Sequence, residues 1–191
     1  MIKLDKNSEE NLIKLFESKN IGIEGNIIKL FETDNEEFKS YLTKCSEKDK
    51  DSRRKRLEIT KKIQLQNFIT ESGAQYPILH LSYQVFGPSL NTAPIVLVNH
   101  ALTGNSNVIG EQGWWNDLIG ESKTIDTNKY TVLAFNVPGN GYDGFGIENY
   151  QDFNARDIAK LFNQGIAILK IKQLFAIIGG SVGGGIAWEM A

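Results

Sequence analysis

Gly179-Gly180-Ser181-Val182-Gly183 has the form G-x-S-x-G. In that form a strand turns sharply into a helix and leaves a serine hydroxyl exposed at the crest. Small neighbours answer a steric demand, because the backbone of such a turn passes close to the adjacent strand and helix. The helix that follows aims free N–H groups and the positive end of its dipole at the serine, which suits a developing oxyanion. The chemistry this suggests is nucleophilic attack on an acyl carbon. The competing reading is a glycine-rich turn that binds phosphate, or nothing. A nucleophilic serine also needs a base and a group that orients the base. In the class that uses this turn both follow the serine, and ten residues follow Ser181 here. The expectation is a nucleophile without its two partners.

Other polar candidates are few. His100 ends an apolar run, where a ring is more often satisfied locally, bracing a loop, than free to act as a base. His80 lies inside a strand-like stretch and reads as structural. Two histidines so far apart make no metal site, and Cys45, the only cysteine, excludes an intrachain disulfide. Gly139, Gly141 and Gly144 form a G-x-G-x-x-G, but a dinucleotide site needs a helix opening within the motif and an acid about twenty residues on. The helical pattern begins only near Asp152. No bound metal or cofactor is expected.

The elements that must position Ser181 can be read from periodicity. Residues 93–102 and 130–137 are short, Val-rich apolar runs, as strands buried on both faces should be. Residues 174–180 make a third such strand, and 77–87 alternates partly, as an outer strand would. Between Asp152 and Lys170, Ile158, Leu161, Phe162, Ile166 and Leu169 recur at helical spacing. Strands alternating with helices predict an α/β protein with a mostly parallel sheet and right-handed crossovers. Ligands gather at the carboxyl ends of such strands. Residues 99–105, 136–146 and the Ser181 turn all arrive there.

Charge divides the chain. Residues 1–66 hold 28 of the 44 Lys, Arg, Asp and Glu side chains, and residues 67–191 the other 16. This predicts a charged, α-helical segment over 1–66, joined through residues 67–75 to an α/β domain over 67–191. The basic run Arg53, Arg54, Lys55 and Arg56 reads as a solvated helix with acidic partners three or four residues away, so no nucleic-acid partner is expected. The start of the chain turns acidic and polar within ten residues, unlike a secretory signal. The longest apolar stretch is too short and too glycine-rich to span a membrane. A cytoplasmic protein is expected.

From about Leu79 onward the sequence resembles the homoserine O-acetyltransferase family, acyltransferases of α/β-hydrolase fold. The matching stretches are His100-Ala101-Leu102-Thr103-Gly104, Gly113-Trp114-Trp115, Leu118-Ile119-Gly120, Ile125-Asp126-Thr127, Asn136-Val137, Arg156-Asp157 and Gly179–Gly184. The resemblance implies a partial α/β-hydrolase fold, its sheet cut off after the serine turn. It implies that Ser181 accepts an acetyl group from acetyl-CoA, a substrate rather than a bound cofactor, and passes it to a hydroxy amino acid such as homoserine. That step lies on the way to methionine. It also implies that the backbone N–H groups of Leu102 and Val182 form the oxyanion hole. The family's triad Asp and His lie beyond the serine turn, so the 191-residue chain alone is expected to be inactive. Residues 138–141, Pro-Gly-Asn-Gly, are closer to the Pro-Gly-x-Gly of hydrolases, which keeps an esterase as the alternative. A non-catalytic protein-binding module is a third reading, and a homodimer stays open.

Overall fold

A computed structural model describes residues 59–110 and 112–191. Within them run seven strands, β1 (Lys61–Ile69), β2 (Gln75–Phe86), β3 (Ile95–Asn99), β4 (Ile119–Gly120), β5 (Ile125–Asp126), β6 (Thr131–Phe135) and β7 (Ala176–Gly179). Two α-helices accompany them, α1 (Ala155–Ile168) and α2 (Val182–Met190). β1, β2, β6, β3 and β7 form one sheet in that spatial order, and β4 and β5 form a separate parallel pair. β6, β3 and β7 are parallel, whereas β2 runs antiparallel to both β6 and β1. The sheet is therefore mixed, with its parallel half under the serine turn.

β3 and β6 are buried at every position, as their unbroken Val/Leu content requires. Along β3, Ile95 and Leu97 enter a core on one face with Leu81, Leu133, Phe135 and α1. Val96 and Val98 enter a second core on the other face with Val108, Ile119, Trp114 and Trp115. α1 lays Ile158, Leu161 and Phe162 on the first face. Phe162 stacks on Phe135 with ring centroids 5.0 Å apart. Each such side chain contributes about 1.5–3 kcal/mol by leaving water.

Four expectations are corrected. The strand over 77–87 is not the outer one, because β1 pairs along its free side. β1 itself includes residues 61–66, expected to be helical. Ile63 and Leu65 are buried between exposed neighbours, a period-two pattern masked by the charged run that precedes it. Charge therefore changes within a strand rather than at its edge: of residues 67–75, 67–69 finish that strand, 70–74 form the β1–β2 turn and Gln75 opens β2. The rest of the expected helical segment, residues 1–58, lies outside the described residues. No described helix crosses from β3 to β6: turns and the β4–β5 pair make up the described part of residues 100–130. Finally, β7 is half-exposed rather than buried, because among the described residues only β3 pairs with it.

α1 starts where its sequence says it should. Asn154 accepts from the Asp157 amide while Asp157 accepts from the Asn154 amide, a reciprocal capping box. Asp157 also accepts from the Glu71 amide at 2.9 Å, which ties the β1–β2 turn to the helix. No helix among the described residues is long and apolar enough to cross a membrane.

Candidate active site

Ser181 sits between β7 and α2 with φ 54° and ψ −124°. A residue bearing Cβ rarely occupies that region, and occupancy there costs about 1–3 kcal/mol. The strain has a geometric cause. β7 must hydrogen-bond to β3 up to the Asn99–Gly179 pair, and α2 must then begin at once. The first turn of α2 lies so close to β3 that a Cβ on Gly183 would come 2.6 Å from the His100 carbonyl oxygen, and closer still to that of Asn99. Glycine is required at 183 by this approach. The Ser181 side chain is exposed, and its hydroxyl has no hydrogen-bond partner among the described residues.

Two backbone amides, one opening α2 and one in the turn after β3, stand unpaired among the described residues. The Val182 N–H opens α2, where the amides of Gly183 and Gly184 already turn back to the carbonyls of Gly180 and Ser181. The Leu102 N–H lies in a turn closed by the Gly104 amide on the Ala101 carbonyl at 2.8 Å. Neither amide has an acceptor among the described residues. The Leu102 side chain is 75% exposed, so the tip of this turn faces solvent. It leaves the carboxyl end of β3, the strand next to β7.

His100 is buried, and both ring nitrogens are occupied. Nε2 accepts from the Val137 amide at 3.0 Å, and Nδ1 lies 2.6 Å from the Ala101 carbonyl. Only the neutral tautomer with its proton on Nδ1 satisfies both. Burial pushes its pKa below the usual histidine value, only partly opposed by the Ala101 carbonyl. His100 braces a loop, as its place at a strand end suggested, and has no nitrogen free for Ser181. His80 stacks on Phe145 at 4.6 Å, far along the chain from the turn. No hydrogen bond joins either histidine to Ser181 among the described residues.

Sequence reasoning gave no role to two features. The first is Trp115, whose ring edge lies 3.2 Å from where a Cβ on Gly180 would stand. Trp115 contacts Trp114, and the Trp114 indole N–H donates to the Asn105 carbonyl at 2.7 Å. The tryptophan pair thus touches both the serine turn and the loop that carries Leu102. The second is a buried polar cluster of Ser82, Gln84, Ser106 and Asn136. Its sequence signals are an asparagine placed directly after the apolar run of β6 and the Asn136-Val137 stretch of the family resemblance.

Among the described residues, three surface cavities lie away from Ser181. They measure about 540 Å³ beside Arg156 and Lys160, about 680 Å³ beside Lys170 and Lys172, and about 700 Å³ beside Gly87 and Lys123. Ser181 lines none of the three.

A serine on a strained strand-to-helix crest, set at the end of parallel strands with a helix following at once, is the arrangement of an α/β-hydrolase fold. The family model of the alpha/beta hydrolase fold matches residues 94–191, and the chain belongs to that family. It is similar to homoserine O-acetyltransferase of Corynebacterium diphtheriae, with 36% identity over 139 residues covering 67% of this chain and 37% of the relative. Two solved structures of homoserine O-acetyltransferases also match. That from Staphylococcus aureus is 35% identical with a TM-score of 0.58, covering 69% of this chain and 41% of its own. That from Bacillus anthracis is 25% identical with a TM-score of 0.61, covering 68% of this chain and 42% of its own. The chain therefore spans less than half the length of the relatives it matches.

Proposed function

We propose that Ser181 is the acyl-carrying nucleophile of an O-acyltransferase that moves an acetyl group from acetyl-CoA to a hydroxy amino acid such as homoserine. The Ser181 oxygen attacks the thioester carbonyl, a C–O bond forms, and the C–S bond breaks to release the thiol. The acceptor hydroxyl then attacks the acyl-serine ester and regenerates the serine. In both steps negative charge grows on the acetyl oxygen, and the Leu102 and Val182 amides are its proposed donors. One observation carries the reading: the φ 54°, ψ −124° conformation of Ser181, held by the approach of Gly183 to β3. The named relatives support the choice of acyl transfer.

The base and its orienting acid are proposed to come from sequence outside these 191 residues. Removing triad members costs several orders of magnitude in rate, so the chain alone is proposed to be inactive or nearly so. Incubation with acetyl-CoA, followed by mass measurement of the Ser181 peptide, tests the reading on the chain and on a version extended to supply Asp and His. A 42-Da adduct in the extended form, discharged to homoserine as its acetyl ester and absent in Ser181→Ala, is expected. Discharge to water whether or not homoserine is present would mean an esterase. Absence of any adduct in both forms would remove the nucleophile.

A further inference from the structure

The loop bearing Leu102 is fastened at both ends to the segment that follows β6. At its start, His100 Nε2 accepts from the Val137 amide. At its far end, the Ser106 amide donates to Asn136 Oδ1 at 2.7 Å, and Asn136 Nδ2 donates to Ser106 Oγ at 3.0 Å. Asn136 Nδ2 also donates to Ser82 Oγ at 2.9 Å, and Ser106 Oγ donates to Gln84 Oε1 at 2.7 Å. A lighter contact spans the middle, where Asn140 Nδ2 reaches the Gly104 carbonyl at 3.5 Å and Asn136 Oδ1 at 3.3 Å. Ser82, Gln84, Ser106 and Asn136 are each at most 3% exposed.

Buried polar groups in apolar surroundings hold their geometry tightly when every member is satisfied, and each member is costly to orphan. Here both atoms of the Asn136 amide are used, and both bond to Ser106. The backbone of Asn136 is fixed as well, since its N–H donates to the Ser82 carbonyl at 2.8 Å. Asn136 therefore sits on the sheet as a fixed post, with Ser106 hung from it. Between Ser106 and the His100 brace only five residues intervene, and Leu102 is one of them.

We propose that Asn136, acting through Ser106, is the positioning residue that sets where the Leu102 amide stands relative to Ser181. The proposal rests on the reading of Leu102 as an oxyanion donor. A donor must lie within about 2.7–3.1 Å of the position the oxyanion will occupy. A misplacement of about 1 Å can cost on the order of 100-fold in rate. Asn136 touches no reacting atom in this scheme. Its effect belongs to the transition state, because the oxyanion forms only there.

Asn136→Ala, Ser106→Ala and the double variant, made in the 191-residue chain, test it by amide exchange. Exchange across residues 101–107 is expected to quicken about 10-fold or more in each single variant as the loop opens locally, while β3 and β6 stay protected. The double variant should be little faster than either single one, because both act through one network. Unchanged exchange over 101–107, or additive effects, overturns the proposal. Ser106→Ala removes one hydroxyl only, and keeps the test decisive if Asn136→Ala fails to fold.

A second measurement uses the extended, triad-complete form with acetyl-CoA. Both single variants should lower kcat about 10- to 100-fold with KM within about twofold, since the lost contact is made only in the transition state. An unchanged kcat beside quickened exchange also overturns the proposal. If the unsubstituted extended form shows no Ser181-dependent acetylation, the acyl-transfer reading fails instead, and exchange alone decides whether Asn136 positions the loop.

Discussion

The Nε2 atom of His100 accepts the Val137 amide proton at 3.0 Å, across the ends of two strands that the chain visits 37 residues apart. An imidazolium cannot accept that bond, so protonating His100 would break it and leave a charge buried. The pair joins the loop carrying Leu102 to the loop after β6, and it does so only while the ring is neutral.

From this follows a pH dependence of stability. In the fold the His100 pKa lies below its unfolded value of about 6.5. Its contribution is thus present above the unfolded pKa and is lost as pH falls towards the folded one. The slope in that interval is at most about 1.4 kcal/mol per pH unit. Urea midpoints at pH 7.5 and 5.5 should fall with pH in the parent and much less in His100→Gln. An equal fall in both would show that His100 is not the titrating brace.

Strain at the serine should be recoverable. Ser181→Gly places a residue that tolerates φ 54° where the hydroxyl makes no bond that would be lost. The expected gain is about 1 kcal/mol, after allowing for the greater freedom of glycine in the unfolded chain. A higher denaturation midpoint is the readout. A lower one would mean that the crest is relaxed.

Two glycines should respond differently to alanine. At Gly183 the added carbon meets the carbonyls of Asn99 and His100, and backbone cannot move aside, so the cost is about 3 kcal/mol or more. At Gly165 in α1 it would lie 2.7 Å from Leu81 Cδ2 and 3.0 Å from Phe135 Cε1, side-chain atoms that can shift. Overpacking there costs about 1–3 kcal/mol, offset by nearly 1 kcal/mol of helix propensity. Gly165→Ala should therefore lose about 1 kcal/mol. Comparable losses at the two sites would contradict the assignment of backbone and side-chain contacts.

The start of α1 separates a buried polar contact from an exposed one. Asp157, 1% exposed, accepts from the amides of Glu71 and Asn154. Asp157→Ala removes one half of the capping box and takes the acceptor from the amides of Glu71 and Asn154, at a cost of about 2 kcal/mol. Arg156 bonds to Glu71 and Glu189, both at 3.0 Å, but its side chain is 64% exposed. Solvent screens such pairs, and Arg156→Ala should cost clearly less than Asp157→Ala. Thermal melts of both variants in low salt would test the order. Reversal of that order would give the surface pairs more weight than their exposure allows.

Some of this molecule was legible without coordinates because the causes are local. The unbroken apolar runs of β3 and β6 can only be strands buried on both faces. The spacing of Ile158, Leu161 and Phe162 can only put one helical face on a sheet. Gly179, Gly180 and Gly183 around Ser181 state in composition the close approach that the fold then requires. His100, at the end of an apolar run, was readable as a brace for the same reason. In each case neighbours along the chain carry the constraint.

What only the tertiary structure decided depends on partners that sequence order hides. β1 carries two alternating apolar residues beside a dense charged run, and it becomes a strand because β2 offers it a full register of hydrogen bonds. Asn136 is one polar residue after an apolar strand until Ser82 arrives from 54 positions away and Ser106 from 30. Those distant groups decide that its amide holds a loop in place. The tautomer of His100 likewise follows from distant Val137 together with its neighbour Ala101. Periodicity and steric limits act between near neighbours, so a sequence can announce them. Hydrogen-bond partners assemble only when the sheet brings its strand ends together.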